Sequence, residues 1–340
     1  ALGGAELSWV EAMRIVEQIA LADGSSGWCV MVGAVVLGHS GAYLPSAAAE
    51  AIFAKGSDLL IAGHGPPQGR ARPVPGGYRI SGHWSYASGI HHANVVRCGC
   101  LLMDGDKPVM SPVGIPEVLL CHVDRKDVEI EDNWNVIGLG GTGSYDYAIH
   151  DVFVPRESTF LGEDRTPVRG GYAYTTGLTG FTAWGHTGFA LGVGRHALDE
   201  IAQLAQTKRN VFGLLGEGTS FQQRYARAEA MYRSVRAFCY AVWTDLDETC
   251  ARQQPASLEQ IALLRLGLTY VHEVVSEVCA FAHKAAGGVS LRHGTLQRCF
   301  RDIHAATQHV HLSDQITQDV GKVLLGMAGN DATWTIIGLK

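Results

Sequence analysis

The chain has 340 residues, 46% hydrophobic and 18% charged, enough apolar mass for a large core and, at about 150 residues per domain, for two or three domains. A net charge of −6 and an isoelectric point near 6.2 exclude nucleic acid and anionic membrane as the main partners. No apolar run reaches the roughly 18 residues that a bilayer span needs, and the eight cysteines fall in no metal-ligand spacing, so reduced, mostly buried thiols in a cytoplasmic protein are expected.

The first residue is not methionine and no signal-peptide pattern is visible, which points to a missing true N-terminus. Ser8 and Glu11 form a capping-box pattern ahead of a helix in which Trp9, Met13, Val16 and Ala20 share one face, closed by Gly24. Helical stretches at 28–38 and about 46–55 follow, the second stopped by Gly56. From about 57 to 155 the period changes to short alternating or apolar runs between turn signals, and Pro75-Gly76-Gly77 marks a hairpin. A Gly-rich irregular stretch (162–180) leads into helical pattern as far as about 328, broken near 210–219, 253–257 and 287–295. Helices, then a β region, then a bundle of about four long helices make the expected fold α+β.

One motif misleads. "GLGGTG" (138–143) satisfies the dinucleotide fingerprint G-x-G-x-x-G. That motif works only where a strand leads in and a helix N-terminus receives the pyrophosphate. Here an alternating strand ending in proline follows, so the run is read as a glycine turn between strands.

Four stretches occur in order: "GGYRISGHWSYASGIHHANVV", "NWNVIGLGGTGSYDYAIHDVFVP", "KRNVFG" and "GGVSLRHGTLQRCFRDIHAATQHV". Together they resemble the acyl-CoA dehydrogenase superfamily, specifically its oxygenase branch, the group D two-component flavin monooxygenases. The resemblance implies an N-terminal helical domain (1–56, with its first helices missing), a middle β domain (57–160) and a C-terminal four-helix bundle (161–340).

It also implies roles for residues. Tyr86, Ser88 and Gly89 match the segment lying against the flavin, with the Ser88 hydroxyl near N5. A fixed hydroxyl there can hold the N5 proton and prolong the C4a-hydroperoxide, Tyr86 can wall the ring, and Gly89 permits close approach. From chemistry alone, Ser88 could equally be a surface serine in a β-turn. Arg209 and Phe212 match an element that reaches the flavin nucleotide of a neighbouring subunit, which implies a homotetramer; without the resemblance Arg209 reads as a solvated helix-end arginine. Gly287 and Gly288 match a nucleotide-proximal Gly-Gly pair, but Lys284 stands where dehydrogenases keep glutamine, so FMN and FAD both stay open. His64 falls in an oxygenase-like Pro-x-Gly-Arg neighbourhood (62–73) that lacks the dehydrogenases' acidic motif.

The departure that decides the branch lies in "RDIHAATQHVHLSD" (301–314). Where many dehydrogenases place a glutamate base, this chain has Val310, which cannot accept a proton. His309 stands beside it at the position where oxygenases keep a histidine, and an imidazole can act as base or hydrogen-bond partner at neutral pH. On a continuous helix His304 and His311 would share a face too far apart to bind one ion, with His309 rotated away, and His91 and His92 diverge, so no metal is expected. Trp28 is a candidate pocket residue and equally a core tryptophan.

The reading is therefore the oxygenase component of a two-component flavin monooxygenase. It would take reduced FMN or FAD from a separate NAD(P)H-dependent reductase, use O2 and oxygenate a small aromatic or heteroaromatic substrate. Its rivals are an acyl-CoA dehydrogenase and a non-catalytic binding protein on the same fold. Carbon, sulfur and nitrogen oxidation all remain open.

Overall fold

The computed structural model describes every residue except Ala1, Val113, Arg165, Phe212, Ile336, Ile337 and Lys340, and for 177–179 the backbone only. Helix α1 (Trp9–Ala22) starts at the expected capping box: the Ser8 hydroxyl accepts from Glu11 N–H and the Glu11 carboxylate accepts from Ser8 N–H. Helix α2 spans Gly24–Tyr43, longer than the 28–38 expected. The reason is Asp23, which ends α1 in an extended conformation and accepts the Ser26 N–H at 2.8 Å, capping the next helix. Gly24 therefore opens a helix as well as following one. Helix α3 covers Ser46–Phe53.

Strands β1 (Ile61–Val74), β2 (Gly77–Ala87), β3 (Val95–Asp104), β4 (Lys107–Pro108), β5 (Val118–Asp124), β6 (Glu129–Ile130), β7 (Tyr145–Pro155) and β8 (Thr159–Leu161) build one eight-stranded sheet. Its order is β6-β7-β2-β1-β3-β5-β8, with β4 on β3. All pairings are antiparallel except β1 with β3. The β1–β2 hairpin turns at Pro75-Gly76 as its sequence indicates. Strand β1 is longer than its apolar runs suggest, continuing through Pro66 and Pro67 because register shifts between His64 and Gly69 take up residues that cannot donate to the ladder.

The chain forms two compact units, neither contiguous in sequence: 1–6, 32–135 and 142–181 in one, and 7–31, 136–141 and 182–340 in the other. The first holds the sheet, with Trp84, Ile80, Val96, Cys98, Cys100 and Tyr147 among its core. The second holds α1 and the C-terminal bundle: α4 (Gly177–Ala205, from residue 182), α5 (Thr219–Ala251), α6 (Leu258–Ala286), α7 (Thr295–Ala306) and α8 (Asp314–Leu324). Glycine sets the α1–α4 crossing, since a Cβ on Gly188 or Gly192 would meet the carbonyl oxygens of Met13 and Glu17 at 2.5 and 2.4 Å. Buried Glu17 then takes Arg236 at 2.7 Å and Tyr240 from α5, while Asp247 of α5 accepts Trp9 N–H and Val10 N–H at the α1 terminus. The "GLGGTG" run is a turn before β7, as expected, and Leu139 N–H within it donates to Asp302 on α7 at 2.6 Å. No described helix is long and apolar enough to cross a membrane, and all eight cysteines are free, six of them buried.

Candidate active site

Strand β2 ends abruptly. Its pairing with β7 shifts register between Trp84 and Ala87, and Tyr86 within that shift has φ +67°. A bulky residue in the left-handed region is strained, and such strain persists only where the surroundings enforce it. Tyr86 is 64% exposed. His64 and Trp134 stand edge-on to it, with ring centroids at 6.4 and 6.3 Å. Gly89 is also left-handed, at φ +75°, and its N–H donates to the Thr142 carbonyl at 2.9 Å.

Ser88 lies between these two turns and is not a surface serine: it is 8% exposed. Its Oγ is 2.7 Å from Ser144 Oγ, which is 2.6 Å from Thr142 Oγ1. Three hydroxyls in a row polarise one another. Ser144 and Trp134 went unrecognised in the sequence, although both sit in a stretch that carries the family resemblance. Ser144 sits 56 residues from Ser88, and no local pattern joins them.

In the second unit the histidines differ from expectation. Helix α7 ends at Ala306, so 301–314 is not one helix. His309 instead caps a short 3-10 turn at Val310–Leu312. That break carries His309 and His311 together, with ring centroids 4.9 Å apart, whereas continuous helical geometry had rotated them away from each other. His186 of α4 packs 4.4 Å from His309, and Trp28 stands edge-on to both at 4.9 and 5.8 Å. His304 is elsewhere, against Phe300. Trp28 is in the second turn of α2 and only 7% exposed, so it is a core residue that also walls His309.

Burial pushes the His186 and His311 imidazoles well below their ordinary range, and the neighbouring histidines add to the shift. His272 is held at about 4 by burial. These rings do not group as metal ligands. Among the described residues only His83, Glu131 and Asp146 bring ligand atoms within 4.8 Å, on a largely exposed edge of the sheet.

The remaining candidates disperse over the second unit. Arg209 is not at a helix end; it lies in β9 (Arg209–Asn210), which pairs with β10 (Gly213–Leu214) in a small exposed hairpin. Phe212 falls outside the described residues. Gly287 adopts φ +55° at the end of α6, where Lys208 donates to the Ala286 carbonyl, and Gly288 and Lys284 are exposed.

A family model for the acyl-CoA dehydrogenase C-terminal domain matches residues 184–314. Indole-3-acetate monooxygenase of Pseudomonas putida is 32% identical over 329 residues, covering 95% of this chain and 82% of that one. The chain belongs to the acyl-CoA dehydrogenase superfamily, in its two-component flavin monooxygenase branch. The oxygenase component of an FADH2-dependent resorcinol hydroxylase from Rhizobium sp. is a further relative, 28% identical over 96% of this chain and 83% of its own. XiaF from Streptomyces sp., solved with FADH2 and glycerol, shares the fold with a TM-score of 0.86 at 22% identity, over 96% of this chain and 83% of that one. The expected α+β architecture is thereby borne out, and the enzyme is an oxidoreductase, a flavin-dependent monooxygenase.

The buried histidines make the monooxygenase acid-sensitive. In the folded state His272 holds its proton only below about pH 4, whereas an unfolded histidine takes one up near 6.5. The unfolded state therefore binds more protons below pH 6.5, and stability falls as pH drops through that window, by up to about 1.4 kcal/mol per pH unit for each such histidine. Denaturant midpoints measured between pH 7 and pH 4.5 should show this loss, and His272→Met should flatten it. An equal slope in the variant would show that His272 does not titrate on unfolding.

Proposed function

We propose that this chain binds reduced FMN or FAD delivered by a separate NAD(P)H-dependent reductase, uses O2 and oxygenates a small aromatic or heteroaromatic substrate. The observation that carries this reading is the end of β2, where a strained, exposed Tyr86 stands beside a buried hydroxyl chain that starts at Ser88. An exposed aromatic face suits a planar tricyclic ring, and the left-handed Gly89 turn leaves backbone close at hand, so the residues present fit a flavin. When bound, reduced flavin supplies the electrons that activate O2. The Ser88 Oγ, oriented by Ser144, holds a proton at flavin N5; Tyr86, His64 and Trp134 wall the ring.

His309 acts at the substrate side. Its Nδ1 accepts the His311 N–H at 3.4 Å. The imidazole acts there as a base or as a hydrogen-bond partner. Gly287 and Gly288 lie near the flavin nucleotide. Arg209 and Phe212 serve the flavin of a neighbouring copy in a homotetramer; the β9–β10 hairpin fits this, since it holds Val211 92% exposed. Light scattering at micromolar concentration should give four copies, and a monomer would sink the shared-site part of the proposal.

Chemically reduced FMN or FAD, mixed aerobically with the protein and a panel of phenols and indoles, tests the reading without any reductase. Oxygenated product supports it; flavin oxidation to peroxide alone, with every substrate, contradicts it. In the same assay Ser88→Ala and Ser144→Ala should each return oxidised flavin several-fold faster, because one such hydrogen bond is worth about 0.5–1.5 kcal/mol. An unchanged rate in both would reduce the hydroxyl chain to a turn-stabilising role. His309→Ala should cut product by about 10²–10⁴-fold while reduced-flavin binding survives. His309→Asn, which keeps hydrogen bonding without a titratable group, separates the two roles: recovery assigns the imidazole a hydrogen-bonding role, and continued failure makes it a base.

A further inference from the structure

Arg97, on β3, is 4% exposed and faces α2. Among the described residues its guanidinium has one hydrogen-bond partner, His39 Nδ1 at 3.3 Å, and its Nε has none. Among the described residues no carboxylate pairs with it. The groups whose negative form would favour it, Tyr147 and Cys98, are themselves pushed by burial toward their protonated forms. The neighbouring histidines cannot help either. His39 is held neutral by burial and by Arg97 itself. His122 has both ring nitrogens engaged, by the Ser40 hydroxyl at 2.7 Å and the Ser158 carbonyl at 3.1 Å.

The result is one buried positive charge among neutral polar groups, with the His39 ring packed by Tyr43, Phe160 and Phe181 at 4.7, 5.2 and 6.0 Å. A guanidinium does not shed its proton, and a buried charge without a counter-charge is among the costliest features a fold can keep. Such a group persists where it awaits an anion. Arg97 also lies within electrostatic reach of the half-buried His64, whose proton affinity it lowers, and His64 stands beside Tyr86.

We propose that Arg97 is the specificity residue that receives the carboxylate of an aromatic acid, with His39 positioning its guanidinium and the substrate ring directed toward His64 and Tyr86. This rests on the oxygenase reading and narrows it to aromatic substrates that carry a carboxylate. The planar fork of arginine matches a carboxylate through paired charge-assisted hydrogen bonds, which a neutral amide of the same shape cannot replace.

The test uses the full chain, with and without reduced FMN under argon, and follows thermal unfolding with indole-3-acetate, 4-hydroxyphenylacetate, their amides and inorganic phosphate. The acids should raise the melting temperature by several degrees at saturating concentration and bind roughly ten- to hundredfold tighter than the amides. Arg97→Met should abolish the acid-dependent shift without lowering the melting temperature of the ligand-free protein, and Arg97→Lys should keep part of it. Acids and amides shifting the wild type alike, phosphate matching the acids, or no shift with any of them would overturn the proposal. Those comparisons need only the wild type, so they decide even if Arg97→Met does not fold. The binding readout is independent of turnover, so failure of the oxygenase reading would be seen separately.

Discussion

The indole of Trp84 is the fixed point of the sheet. It occupies a slot that exists because Gly69 and Gly82 have no side chains; a Cβ on Gly69 would lie 2.1 Å from the ring. Tyr147 stacks on it at 5.2 Å, and the Trp84 indole N–H donates to the Gly99 carbonyl at 2.7 Å. Strands β1, β2, β3 and β7 thus meet on one buried side chain. Two residues further on, β2 can leave the sheet in a strained conformation because its root cannot move.

Strain at Tyr86 and burial of Ser88 are two results of the same anchoring. Packing at Trp84 supplies the stability that a left-handed tyrosine costs. The short path from Trp84 to Ser88 then transmits that rigidity to a buried hydroxyl, 2.7 Å from Ser144 Oγ. Thr142 and Ser144 complete the arrangement from the turn that precedes β7.

The second unit follows a different logic. There the polar groups are buried imidazoles, kept neutral by burial and by one another, around a histidine at a helix break. Neutral rings tolerate close packing that charged ones would not, so His186 and His311 can lie against His309 and hold its orientation. In the first unit Arg97 is the opposite case, a charge that burial cannot neutralise.

Much of this was legible in the sequence. The capping box at Ser8, the Pro75-Gly76 hairpin and the long bundle helices follow from local rules, because caps, turns and periodicity are decided within a few residues; the Tyr86–Gly89 segment stood out only through the family resemblance. The valine at position 310 already excluded a carboxylate base there. Other features had no local signal. Asp23 joins two helices by a cap visible only once both exist, and the break after Ala306 brings together histidines that helical spacing separates. His186 reaches His309 across 123 residues, Ser144 reaches Ser88 across 56, and Arg97 in its apolar run reads as an ordinary strand arginine until its missing counter-charge is seen. Sequence determined which chemical groups were available and which local conformations they prefer; tertiary structure alone decided which of them share a buried environment, because burial and pairing depend on residues far apart in the chain.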